Sequence, residues 1–223
     1  MIASRIGRSL LIAAATATVA TVVPIAAANA SPDSASACPS CGHNLILNPG
    51  AEAGKGTASD SKVKVPDWKP QTGGFTAAQY AWSDSDVTAK SPGPKHRGKN
   101  YFYGGPDAAK STGTQVIKIA AGGVSGGKVK YTLSGWIGGY DSQGDYCKLE
   151  MTLENAKGKA LASAQIGPVT EAQRKGVSEF LFRTTAGKVP AGTRLVVLKL
   201  VMVREDGSDN DGLADNLSLI FKQ

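Results

Sequence analysis

From Asn44 onward, apolar and polar residues alternate with a period of two, and this spacing constrains the chain more than any other feature. Val129, Tyr131, Leu133 and Ile137 alternate with Lys128, Lys130, Thr132, Ser134 and Trp136. Cys147, Leu149, Met151 and Leu153 alternate with Lys148, Glu150, Thr152 and Glu154, and Leu217, Leu219 and Phe221 with Asn216, Ser218 and Lys222. A period of two puts one side of an extended chain on a core and the other toward water. Further strands are expected at Leu45–Asn48, Phe75–Trp82, Asn100–Tyr103, Thr114–Ile119, Leu161–Ile166, Glu179–Thr184 and Arg194–Val203. The last is almost uniformly apolar and is expected to be central, with both faces covered. Between the strands lie turn formers such as Asn155-Ala156-Lys157-Gly158 and Val189-Pro190-Ala191-Gly192. Only Thr170–Lys175 reads as helix, opened by a capping box between Thr170 and Gln173. About ten short strands with almost no helix specify an all-β fold, a sandwich or a barrel of antiparallel strands.

The first residues have a different character. Arg5 and Arg8 precede an apolar run from Ser9 to Ala28, and Ala28-Asn29-Ala30 follows it. That order is expected of a secretory signal peptide, residues 1–30, cleaved after Ala30. The run is nearly long enough for a membrane anchor, but Pro24 interrupts it. Residues 31–43 are expected to be a flexible leader and residues 44–223 one domain, secreted and without a further spanning segment. The full chain carries 25 basic and 18 acidic residues. Removing the two signal-peptide arginines leaves an excess of five positive charges, spread along the sequence rather than gathered in a nucleic-acid motif. No nucleic-acid partner is expected. A basic surface of this kind suits anionic polymers of a cell wall. Cys38, Cys41 and Cys147 make an odd number in an exported chain. They allow either a Cys38–Cys41 disulfide or a bridge from one of these two to Cys147.

Three segments together resemble a known family. Asn44-Leu45-Ile46-Leu47-Asn48-Pro49-Gly50-Ala51-Glu52 opens the domain, Val65-Pro66-Asp67-Trp68 follows, and Ala214-Asp215-Asn216-Leu217-Ser218-Leu219 closes it, with Tyr131-Thr132-Leu133-Ser134-Gly135-Trp136 between. This order resembles the galactose-binding-like jelly-roll superfamily, in particular the carbohydrate-binding modules found beside bacterial cellulases and xylanases. The resemblance implies a jelly-roll sandwich whose first and last strands are neighbours. It also implies a structural calcium held by Glu52 and Asp215, with Asn48 as a further ligand. A hard cation takes oxygen ligands, and two carboxylates without one would repel each other.

Sugars are held by aromatic faces stacked on the apolar side of the ring, with polar groups fixing the hydroxyls. Trp136 falls on the outward side of its strand, Tyr140 and Tyr146 flank the Gly138–Asp145 loop, and Trp82 and Tyr103 lie on or beside earlier strands. With Arg97 as hydrogen-bond donor, Trp136, Trp82, Tyr140 and Tyr103 are the candidate ligand residues; Trp68 is assigned to the core. The expected function is a non-catalytic carbohydrate-binding module. The alternatives are an extracellular interaction protein and a hydrolase. For the hydrolase, Gly123-Val124-Ser125-Gly126-Gly127 matches G-x-S-x-G but lacks the strand-turn-helix setting of a nucleophile elbow. Asp141 with Asp145, and Glu150 with Glu154, are the acid pairs that would have to cleave a glycoside.

Overall fold

Turn-forming glycines and prolines break the chain every eight to twelve residues or so, and the apolar alternation between them leaves each segment one face to bury. In the computed structural model, which describes residues 38–82, 87–122, 124 and 127–223, those segments form ten strands and one helical turn. The signal peptide expected at residues 1–30, leader residues 31–37 and Ser125 of the G-x-S-x-G segment lie outside the described residues. In chain order the elements are β1 (Gln71–Thr72), β2 (Thr76–Gln79), β3 (Asn100–Gly105), β4 (Lys110–Lys118), β5 (Lys130–Gly139), β6 (Tyr146–Glu154), β7 (Ala160–Ile166), α1 (Glu171–Arg174), β8 (Glu179–Lys188), β9 (Leu195–Val203) and β10 (Asn210–Lys222).

Two five-stranded antiparallel sheets result, ordered β1-β4-β9-β6-β7 and β2-β3-β10-β5-β8. The core lies between them. Leu133 and Ile137 of β5, Leu149, Met151 and Leu153 of β6, Leu198 and Leu200 of β9, and Leu217, Leu219 and Phe221 of β10 are all 1 % exposed or less. Trp68 is fully buried among them, edge-on to Phe102 at 5.3 Å. The capping box also forms: Thr170 Oγ1 accepts from Gln173 N, and Gln173 Oε1 accepts from Thr170 N.

Two elements differ from expectation. Leu45–Asn48 is not a strand: Asn44 makes one bridge to Ile220 of β10, and the chain then turns through a positive φ at Asn48. Side chains replace a ladder there, with Leu47 N donating to Gln115 Oε1 and Gln115 Nε2 to Leu47 O. β9 is central, but only one of its faces meets the core. Its burial alternates as far as Leu200, with Lys199 on the other face exposed; Val201, on that same face, is buried but outside the core cluster. Of the cysteine pairings left open, Cys38–Cys41 forms and Cys147 is a buried free thiol. Residues 38–43, assigned above to the leader, meet the last strand, where Gly42 N donates to Phe221 O at 2.9 Å. Among the described residues no helix is long and apolar enough to cross a membrane.

Candidate functional site

The outer face of the second sheet is unusually apolar at one end. Outward residues of β2, β3, β8 and β10 form a second cluster there, containing Ala78, Tyr101, Tyr103, Phe180 and Leu213. The segment following β2 roofs it, adding Tyr80 and Val87, with Trp82 packed against it. Arg97 fastens this roof. Its Nε donates to Pro94 O, its Nη1 to Thr88 O and its Nη2 to Ser91 O, and its guanidinium lies 5.0 Å from the centre of the Tyr80 ring. The donors that sequence reasoning set aside for a ligand thus hold the main chain.

Beside the roof opens a cavity of about 280 Å³, lined by Trp82, Tyr101, Tyr103 and Tyr140, with Asp60, Gln143, Asp209 and Asp211 among its polar groups. Three of the predicted ligand residues, Trp82, Tyr103 and Tyr140, therefore converge from three separate segments. Trp136 is not among the lining residues. It is half-buried on the same outer face, where its ring packs on that of Phe182 at 5.6 Å. Burial pushes the Tyr103 phenol up, and the carboxylates of Asp211, Asp209 and Asp60 push it the same way. Burial likewise raises Asp209, reinforced by Asp60.

Two buried polar side chains stand behind the cavity lining: Asp145, which sequence reasoning named only as half of an acid pair, and Arg174, which it did not single out. Asp145 is fully buried; its Oδ1 accepts from Glu205 N at 2.6 Å and Asp206 N at 2.9 Å, and its Oδ2 from Asp211 N at 2.7 Å. Arg174, 1 % exposed, donates to the carbonyls of Asp141, Gln143 and Val177. Asp145 ties the β5–β6 loop, which carries Tyr140 and Gln143, to the β9–β10 loop, which carries Asp209, and Arg174 ties the same β5–β6 loop to α1 and the segment after it. Gln143 Oε1 is itself a buried acceptor without a partner among the described residues. A run of acids and glycines in the sequence marks these loops as turns but not as mutually bonded. That bonding depends on contacts across 60 or more residues.

The residues expected to hold calcium lie at the roof's far side. Leu217 N donates to Pro49 O at 2.9 Å, so the opening and closing segments are neighbours. A Cβ added to Gly50 would stand 3.2 Å from Asp215 Oδ1 and 3.7 Å from Glu52 Cγ. Asp215 is fully buried; its Oδ2 accepts from the Tyr80 hydroxyl at 2.8 Å and its Oδ1 from Asn216 N at 2.6 Å. Burial pushes its carboxyl up to about 7, the Glu52 charge adding to the rise and those two hydrogen bonds opposing it. Glu52 Oε1 accepts from Lys99 N and Asn100 N. Gly98 is required at this point: φ is +64°, and a Cβ would come within 2.5 Å of Glu52 Oε1. The Asn48 side chain is spent on the opening loop, Nδ2 donating to Pro66 O and Oδ1 accepting from Ala53 N. Among the described residues no three His, Cys, Asp or Glu side chains gather to hold a metal. A cation at Glu52 and Asp215 would therefore draw its remaining oxygens from main-chain carbonyls.

No protein-family model matches the sequence, and no curated protein matches it significantly. Solved structures do. The enzymatically active domain of tailspike protein 4 of bacteriophage CBA120 superposes with a TM-score of 0.51 at 16 % identity, over 80 % of this chain and 21 % of that one. This chain thus spans about a fifth of the tailspike domain's length. A module named TmCBM61, solved with β-1,4-galactotriose, gives 0.44 at 16 % identity over 81 % of this chain and all of the other. The CBM22-1 xylan-binding domain from Paenibacillus barcinonensis gives 0.40 at 12 % identity, over 73 % and 89 %. At such identities the likeness is one of fold.

Proposed function

We propose that the chain is a secreted, non-catalytic carbohydrate-binding module that takes sugar into the aromatic cavity on the outer face of its second sheet. The observation that carries this reading is the convergence of Trp82, Tyr103 and Tyr140 on one cavity together with Asp60, Gln143 and Asp209. Rings supply stacking faces for the apolar side of a pyranose, while carboxylates and amide oxygens accept hydrogen bonds from its hydroxyls. The acid pairs of a glycosidase are committed elsewhere: Asp145 to three backbone amides, Glu150 to an ion pair with Lys148 at 2.6 Å. An interaction protein would favour one broad apolar patch. Here, of the exposed large hydrophobics, Phe182 and Ile220 of the second sheet are separated by β5, and Val116 and Leu161 of the first by β9 and β6. The Cys38–Cys41 disulfide and the signal-peptide pattern both fit an oxidising, extracellular setting.

The reading includes a structural calcium at Glu52 and Asp215, where it would neutralise two neighbouring carboxylates, one of them buried. The test is a glycan array probed with the wild-type protein and with a Trp82→Ala/Tyr140→Ala variant. Binding of one sugar class by the wild type, lost in the variant, supports the reading. Binding of no glycan above background, or equal binding by the variant, removes it.

A further inference from the structure

The opposite end of the same sheet face carries a second arrangement. Lys222 of β10 is directly paired with Lys130 of β5, and Lys130 with Lys188 of β8. Alternation points all three outward, and all are exposed. Three ammonium-bearing side chains thus stand in a row across three adjacent strands, about 5 Å from one strand to the next. Like charges directly opposite one another destabilise a sheet, and this row contains two such pairs. Among the described residues no carboxylate side chain pairs with them, the single side-chain ion pair being Lys148–Glu150 on the other sheet. The row borders a groove of about 680 Å³ whose lining includes Lys128, Lys130, Thr132, Ala186, Lys188 and Lys222, and no acidic side chain.

We infer that the lysine row is a second binding site, specific for an anionic polysaccharide whose sugar carboxylates pair with the Lys222–Lys130–Lys188 ammoniums. Charge complementarity selects the occupant. Toward the aromatic cavity the outward band of β5 and β8 bears the hydroxyls of Thr132, Ser134 and Thr184, suited to a polyhydroxylated backbone. The charges are lysine point charges rather than the planar forks that grip phosphates in pairs, and the ring among the lining residues, Tyr131, is buried and offers a base no face to stack on. Lys130 lies six residues from Trp136 along β5, about 20 Å, so the row is distinct from the acid-lined cavity and does not depend on it. The carboxylates of Asp60, Asp209 and Asp211 at the cavity would repel the same ligand, which fixes the end of the face it takes.

Affinity electrophoresis in gels containing polygalacturonate, or its fully methyl-esterified form, tests the site. The probe proteins are wild type, Lys130→Glu at the centre of the row, and Lys157→Glu in the β6–β7 turn, which alters net charge equally. Wild type is expected to be retarded by polygalacturonate and not by the ester. Lys130→Glu should weaken that binding about tenfold or more, and Lys157→Glu less than about twofold. Lys130→Glu removes two like-charge pairs, so its thermal midpoint should hold or rise, separating loss of binding from loss of fold. Equal weakening by both variants, absence of retardation, or equal competition by duplex DNA at matched charge would overturn the proposal. Retention of a neutral glycan by Lys130→Glu keeps the two sites separate. Its loss, with the fold intact, would merge them and overturn the second site.

Discussion

Replacing Asp145 by Asn changes one atom in the wall behind the candidate site, and the structure sets the size of the effect. The carboxylate accepts three backbone N–H bonds of 2.6–2.9 Å while fully buried. Asn retains one acceptor oxygen. Its better orientation leaves that oxygen toward Glu205 and Asp206 and turns an NH2 group toward the Asp211 amide. One charge-assisted hydrogen bond, worth about 1.5–3 kcal/mol, is lost outright, and the other two weaken as the charge goes. The total is about 2–4 kcal/mol, a large part of the 5–15 kcal/mol that stabilises a typical domain. For a domain of this size the melting point should fall by roughly 5–15 °C. Urea unfolding followed by tryptophan fluorescence measures the free energy, and amide exchange at Glu205, Asp206 and Asp211 locates it. The β9–β10 loop carries Gly207, Ser208 and Asp209 of the cavity lining, so sugar affinity should fall as well. A cost below about 1 kcal/mol, with those amides still protected, would refute the argument that this carboxylate fastens the loop.

Trp82→Ala and Tyr140→Ala, both half-buried residues of the lining, should each weaken sugar binding about tenfold or more in titration calorimetry, with little change in melting temperature. Cys147 is fully buried and its thiol is pushed up by that burial, so the native protein should show no thiol reactive to Ellman's reagent and one per chain after unfolding. In protein stripped of divalent cations, Asp215 binds its proton more tightly folded than unfolded. That group's contribution therefore favours the folded state at low pH, and stability is lost as pH rises from about 4 through about 7, on the order of 4 kcal/mol. Asp215→Asn should flatten the wild-type difference between pH 5 and pH 8, and added calcium should raise the wild-type midpoint at pH 8 but not the variant's.

Legibility in the sequence followed the range of the interactions. Alternation located β5, β6 and β10 because a period of two is local, and the Thr170 capping box was visible because it spans three residues. Trp82, Tyr103 and Tyr140 could be named as ligand candidates by residue type, but their convergence needed the β3–β10 and β10–β5 registers, which join distant segments. Arg97 was read as a free donor because its role depends on carbonyls of a folded roof. Asp145 was read as half of an acid pair and Arg174 as part of a helical turn, because their burial and main-chain partners arise only when distant segments close over them. The lysine row was spread over 92 positions of sequence and became a row only through strand pairing.

The central claim is that the aromatic cavity takes up carbohydrate, and migration through native gels containing soluble galactan, xylan or mixed-linkage glucan tests it most directly. The account predicts retardation by at least one of these polymers, abolished in Trp82→Ala/Tyr140→Ala and preserved in Lys130→Glu. Free migration of the wild type through all of them, or retardation that survives loss of both rings, would contradict it.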